Sequence, residues 1–200
     1  MKNIEKTTVL APLFLILEHL RISEETRQQI ADKIEVRRVK SNAILLMPGN
    51  TCTHVYFVVS GGFVCRYFNE NLEIPKTINF YLDDLHPFMA CVDSYFSQQP
   101  TACELRAVRD SVVLSMSKRN LDAMMQSNPV LQGFYDSLVI QALIEENELK
   151  LKIISHNAEQ LYQYLLDELP AVIQKVPSKY IAEFMGISAE WLSKLKRRKK

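Results

Sequence analysis

No apolar run in this sequence of 200 residues is long enough to cross a bilayer, and the longest, Val9 to Leu17, is interrupted by Pro12. The opening residues lack the charged start and small-residue cleavage site of a secretion signal, and Glu5 sits inside the would-be leader. An intracellular, cytoplasmic protein without membrane association is therefore expected. Cys52, Cys65, Cys91 and Cys103 contain no CxxC pair, so reduced, buried thiols are expected rather than a metal or redox site. His19, His54, His86 and His156 are equally scattered, and without an HxxxH or HExxH spacing a zinc enzyme has no support. Nor is there a nucleophile–base pair, a pair of catalytic carboxylates or a phosphate loop. Asp83-Asp84 comes nearest and reads as solvated acids at a strand end, so neither an enzyme nor a resident metal or cofactor is expected.

What the chain does hold is ordinary globular material, 48% hydrophobic and 24% charged. Its net charge of +1 says little, but the distribution of that charge says more. Between Val176 and Lys200 lie seven basic residues and two acidic ones, Glu183 and Glu190; the other 175 residues hold 17 basic and 21 acidic. A basic end on an acidic body is the footprint expected for a polyanionic partner.

Residues 10–20 and 23–34 read as helical, with Ser23 capping the second helix and Glu24-Glu25 at its positive end. From Val36 the pattern becomes short β-branched and aromatic runs, at 43–47, 54–60, 63–68, 77–81, 102–108 and 112–117. Turn residues separate them: Pro48-Gly49-Asn50, Gly61-Gly62, Asn69-Glu70-Asn71 and Arg109-Asp110. This predicts an antiparallel sandwich or barrel. The alternation fails between Leu82 and Pro100, where 88–96 fits either a short helix or an irregular loop. Helices follow at 118–126 and then from Pro129, capped by Asn128, through Ile154. At about 26 residues the latter would span roughly 39 Å. Leu131, Phe134, Leu138, Ala142, Glu145, Leu149 and Ile153 recur along it at 3–4 spacing. That stripe fits either packing on the chain's own barrel or a two-stranded dimer seam. A further helix over 158–168 stops at Leu169-Pro170, and Pro177 opens the last segment.

That segment, from Ser178 to Arg197, has the spacing of a helix-turn-helix. Counting Ser178 as the first position, the small Ala182 stands fifth, where two helices approach closely, and Gly186 ninth, where the turn favours positive φ. Ile181, Met185, Ile187, Leu192 and Leu195 occupy core-facing positions, and Ser188 caps the second helix. Its outward side chains would be Ala189, Glu190, Ser193, Lys194 and Arg197. Glu190 suits a cytosine amino group, Lys194 a guanine, and Ser193 a base or phosphate. Lys196, Arg198, Lys199 and Lys200 suit phosphates, and Ser178 and Lys179 at the start of the first helix complete the candidate DNA-binding set. An ordinary helical hairpin with a solubilising basic tail is the competing reading.

Three stretches carry a resemblance: Val55-Tyr-Phe-Val-Val-Ser-Gly-Gly-Phe-Val, Thr101-Ala102 with its following strand, and Val176-Pro-Ser-Lys-Tyr-Ile-Ala-Glu-Phe-Met-Gly-Ile-Ser. In this order, with the long helix between, they resemble the CRP/FNR family of bacterial regulators, and the last stretch is similar to its compact Bacteroidetes-type branch. The resemblance implies an α+β fold. Residues 1–127 would form a cyclic-nucleotide-binding-like antiparallel β-roll of jelly-roll type, 128–155 a dimerisation helix, and 156–200 the helix-turn-helix domain. It implies a homodimeric, sequence-specific transcriptional regulator on double-stranded DNA, with RNA polymerase and a small-molecule effector as further partners. A sensor or scaffold of the same fold that does not bind DNA is the alternative. The effector pocket implied runs through Phe80, Phe88, Met89, Ala90, Cys91, Thr101 and Ala102. In family members that bind cyclic nucleotides, a Gly-Glu pair holds the ribose and an arginine meets the phosphate; here Ala90-Cys91 and Pro100 stand in those places. Proline offers an anion no donor, so cyclic AMP is not expected to bind in the usual way. With no cysteine before Cys52, an iron–sulfur cluster of the oxygen-sensing branch is not supported. A β-hairpin wing is not expected either, because 173–176 is too short to form one.

Overall fold

The computed structural model describes residues 2–69 and 75–198. Part of the turn expected at Asn69-Glu70-Asn71, together with Lys199 and Lys200, lies outside the described residues. The chain opens with α1 (Lys2–Leu17), a 3-10 turn at Glu18–Leu20 and α2 (Glu24–Lys33). Ser23 caps α2 by accepting from the Thr26 N–H, as its position suggested. Eight strands follow among the described residues: β1 (Glu35–Val39), β2 (Ile44–Leu46), β3 (His54–Ser60), β4 (Gly62–Tyr67), β5 (Lys76–Leu82), β6 (Phe88–Met89), β7 (Cys103–Ala107) and β8 (Ser111–Ser117). They form two antiparallel sheets, ordered β1-β8-β3-β6 and β2-β7-β4-β5, as the pattern of short alternating runs predicted. Sequence periodicity missed β1, because the two valines of Glu35-Val-Arg-Arg-Val stand three apart and are only partly buried, which leaves no apolar alternation. The ambiguous stretch resolves into β6 followed by the short helix α3 (Val92–Ser97).

Alternation along the strands sorts side chains into separate cores. Tyr56, Val58, Phe63, Leu105 and Val113 fill the space between the sheets. Phe57 and Leu114 point the other way, onto Leu10, Leu13, Leu17 and Ile30 of the N-terminal helices. On the second sheet, Val64, Phe80 and Leu82 face outward into a third core shared with the C-terminal helices. Gly61, between β3 and β4, holds φ +95°, and a Cβ there would run into Ser111 and the Asp110 carbonyl, so this corner requires glycine.

The remaining chain is helical: α4 (Lys118–Ser127), α5 (Pro129–Ser155), α6 (Ala158–Asp167), α7 (Pro170–Lys175), α8 (Ser178–Met185) and α9 (Ala189–Arg198). Asn128 caps α5 by accepting from the N–H groups of Val130 and Leu131. Part of the stripe singled out along α5 turns toward the chain's own body, while its Ala142 and Ile153 are exposed. Leu131 and Phe134 join the core under the N-terminal helices, Glu145 pairs with His86 at 3.2 Å, and Leu149 packs on the C-terminal core. The opposite side of the same helix is also apolar, and Ile140, Leu143, Ile144, Leu151 and Ile154 are exposed there. Pro170 opens the short α7 at its first turn, and Val172 of that helix is buried in the C-terminal core.

Candidate nucleic-acid interface

The last two helices are built as the spacing required. Ile181, Ala182, Met185, Leu192 and Leu195 are buried between them, and Ile187 is half-buried against the same core. Tyr180 and Phe184 are buried as well, which the two-helix pattern alone did not indicate. Gly186 ends α8 at φ +66°, its N–H bonded back to the Ala182 and Glu183 carbonyls. Ser188 accepts from the Trp191 N–H at 3.1 Å and starts α9. Lys196 donates to the Ser178 hydroxyl at 2.6 Å, tying the far end of α9 to the start of α8.

The candidate DNA-reading side chains separate into two groups. Ser193, Lys194 and Arg197 lie exposed on one side of α9, with Ala189 and Glu190 exposed at its start. Glu190 bonds the helix's own first turn: its own backbone N–H and the Ser188 hydroxyl hold its carboxyl below the ordinary glutamate range. The second group is engaged within the chain. Ser178 serves Lys196, Lys179 sits over the Tyr180 ring at 4.6 Å, and Arg198 pairs with Glu159 of α6 at 2.7 Å while covering Trp191.

Glu183 belongs to neither group. Its carboxylate is gripped by Arg66 of β4 through two bonds, 2.9 and 3.0 Å, and accepts from the Thr77 hydroxyl at 2.9 Å. Arg66 also reaches the buried Glu104 of β7 at 2.7 Å, and Arg106 binds both oxygens of that carboxylate at 2.8 and 3.0 Å. Burial works against the charge on Glu104, but the bonds from Arg106 and Arg66 prevail and hold its carboxyl below the ordinary range. The Arg66 guanidinium lies over Tyr180, Phe80 packs on Phe184 with ring centroids 5.0 Å apart, and Lys175 bridges Asp83 and Asp84 at 2.7 Å each. The helix-turn-helix is thus docked on the outer face of the second sheet. No local signal could have revealed this clamp, because its partners are 117 residues apart. It also removes Glu183 from the free charges of the C-terminal segment.

The residues proposed for an effector pocket contribute to three different hydrophobic clusters. Phe80 packs on α8, Phe88 lies with the N-terminal helices, and Met89 and Cys91 lie between the sheets with Ala90 against them. The Thr101 hydroxyl faces the Asp93 carboxylate at 3.2 Å and its N–H serves the Asn50 carbonyl, while Ala102 is exposed. An anion placed there would meet a carboxylate and a donor already in use.

Solved structures with this arrangement are known. A mutant of CooA from Carboxydothermus hydrogenoformans superimposes with a TM-score of 0.64 at 20% identity, over 91% of this chain and 82% of that one. The c-di-GMP responsive global regulator CLP from Xanthomonas campestris gives 0.65 at 13% identity, over 88% and 91%. A transcriptional regulator assigned to the crp/fnr family from Eubacterium rectale gives 0.66 at 16% identity, over 88% and 83%. This chain has a CRP/FNR-type fold. Neither a protein-family model nor a curated protein sequence matches it. Among the described residues no helix is long and apolar enough to cross a membrane, and no group of three or more candidate ligands could hold a metal ion.

Proposed function

We propose that this CRP/FNR-type chain is a sequence-specific, DNA-binding transcriptional regulator that works as a homodimer, and is not an enzyme. The observation that carries the reading is the exposed side of α9, where Ser193, Lys194 and Arg197 stand on a capped helix of a helix-turn-helix. In this reading Ser193, Lys194 and Glu190 meet base edges, while Arg197, Arg198, Ser178 and Lys179 meet the backbone. The exposed apolar side of α5 supports a two-fold seam that sets two copies of α9 one helical turn apart. Residues 1–127 then serve as a degenerate sensor that does not take cyclic AMP in the usual way, 128–155 as the dimer helix and 156–200 as the reading head, with RNA polymerase as a further partner.

Selection from random duplexes with the purified protein tests this directly. A palindromic motif with half-sites about ten base pairs apart is expected. Binding should fall steeply with salt, and Lys194→Ala with Arg197→Ala should weaken it while flattening the slope by up to about 0.9 for each phosphate no longer neutralised. A retained motif and unchanged slope in the double variant would remove these residues from the interface. Absence of any enriched motif at low salt would remove the DNA-binding reading in favour of a sensor or scaffold.

A further inference from the structure

The exposed side of α5 carries a strict repeat. Gly133, Ile140, Asn147 and Ile154 stand seven residues apart on it, and Ser137, Ile144 and Leu151 fall between them, so that steps of four and three alternate from 133 to 154. All of these positions are exposed, and Leu143 flanks them. A seven-residue repeat of this kind is the seam of a two-stranded coiled coil. On a straight helix it drifts by about 20° in each repeat, so it swings about 60° around α5 between its two ends. A second helix coiling around the first follows that swing; a flat surface does not.

Three members of the repeat are not apolar, and the protomer does not explain two of them. A Cβ on Gly133 would meet nothing within 4 Å, so packing does not call for glycine in the interior of α5, where it weakens the helix. Close approach of a second backbone does call for it. Ser137 turns its hydroxyl back onto the Phe134 carbonyl at 2.7 Å and so presents a small, satisfied side chain. Asn147 is different. Gln132 and Gln141, the other amides of α5, donate to carboxylates one turn on at 2.7 and 2.8 Å, whereas the Asn147 side chain has no hydrogen-bond partner among the described residues. It stands between Ile144 and Leu151 on the repeat.

The order of sizes and polarities along the repeat complements itself when two copies lie parallel and in register. Each position then meets its own counterpart: small against small, apolar against apolar, amide against amide. An amide both donates and accepts, so two Asn147 side chains satisfy one another. An antiparallel pairing over the same length sets Asn147 against Ile144, and a slip of one repeat sets it against Ile140 and Ile154. Either buries an amide with no partner.

We propose that Asn147 sets the orientation and register of the α5 seam, its partner being the same residue of a second copy of this chain. The inference rests on the homodimer reading above and adds to it the residue that selects the pairing. An amide at a seam position weakens association relative to an apolar side chain, and it excludes the pairings that would strand it. That exclusion bears on DNA reading. A slip of one repeat displaces one reading head by about 10 Å along the axis, and an antiparallel pair sends the two copies of α9 to opposite ends.

Full chains carrying Ser137→Cys and Ile154→Cys together report the pairing after mild oxidation, digestion and mass mapping. The two positions lie about 25 Å apart on one helix, so any link between introduced cysteines joins two copies; the four native cysteines are buried. Links of 137 to 137 and of 154 to 154 are expected. Adding Asn147→Leu, at a position exposed in the protomer, should leave the fold intact and bring in links of 137 to 154. It should also tighten the dimer constant from sedimentation equilibrium about tenfold or more. The same two links alone and an unchanged constant in the Asn147→Leu chain would overturn the role of Asn147 and leave the seam standing. Links of 137 to 154 in the parent would overturn the parallel register without touching dimer formation. A parent chain that forms no links and sediments as a monomer would overturn the seam itself, and the role of Asn147 with it.

Discussion

The two apolar sides of α5 predict opposite consequences for substitutions six residues apart. Leu143 is 69% exposed, so little of its side chain is covered by its own chain. Fully burying a leucine contributes about 1.5–3 kcal/mol, and a two-fold seam buries the residue twice. Scaled to the exposed share, Leu143→Glu removes about 2–4 kcal/mol of association. That weakens the dimer about 30- to 700-fold, before the cost of bringing two carboxylates together. Monomer stability should change by no more than about 0.5 kcal/mol, as for other exposed sites. Leu149→Glu should behave in reverse, because the half-buried Leu149 packs on the C-terminal core and a charge set against that core destabilises the fold itself. Sedimentation equilibrium gives the dimer constant, and urea unfolding of the dilute chain gives the monomer stability. A Leu143→Glu chain that stays dimeric with an unchanged constant would refute the seam.

Other expectations follow from the clamp and the caps. Glu104→Gln leaves Arg66 and Arg106 poorly matched and should cost about 3 kcal/mol at neutral pH, read by thermal unfolding. Because the folded carboxyl titrates below its unfolded value, that contribution is full above about pH 4.3 and is lost as pH falls through the folded value. Thermal unfolding of Glu104→Gln between about pH 3 and 7 should therefore show a flatter acid limb than the parent. Gly186→Ala meets no atom within 4 Å, so only its positive φ resists, and urea unfolding should show a loss of about 1 kcal/mol. Asn128→Ala frees two N–H groups at the start of α5 and should lower stability by about 1 kcal/mol in the same assay.

Local chemistry made much of this architecture readable. The alternating runs located six of the eight strands, and Asn128-Pro129 fixed the start of α5 because a cap and a proline act within one turn. Gly186 and Ser188 did the same for the turn before α9. The strand β1 escaped because its only apolar residues, Val36 and Val39, are three apart and only partly buried, and β6 because two residues are too few to show a period. The stripe legible along α5 packs inward at Leu131, Phe134 and Leu149 but leaves Ala142 and Ile153 exposed; the outer stripe shares its spacing, and periodicity cannot say which side meets which partner. The three-way split of the proposed pocket residues and the meeting of Arg66 with Glu183 are products of the sheet's two faces, which no local window contains.

The same two-faced geometry explains why β4 and β7 are the strands through which one end of this chain can act on the other. Successive residues of a strand point to opposite sides, so Cys65 and Arg66, like Cys103 and Glu104, report to different cores while sharing a backbone. Val64 makes the same connection, lying fully buried on the face that receives α8. A change in register between these strands cannot be absorbed on one side alone, because a bidentate guanidinium–carboxylate pair tolerates little misalignment. Hydrophobic packing is less demanding, so Phe80 against Phe184 would hold α8 loosely after the ion pairs part. The docked head is therefore oriented by Arg66, Glu104 and Glu183 and retained by its apolar core. Substituting Arg66 should free its orientation before it frees its attachment.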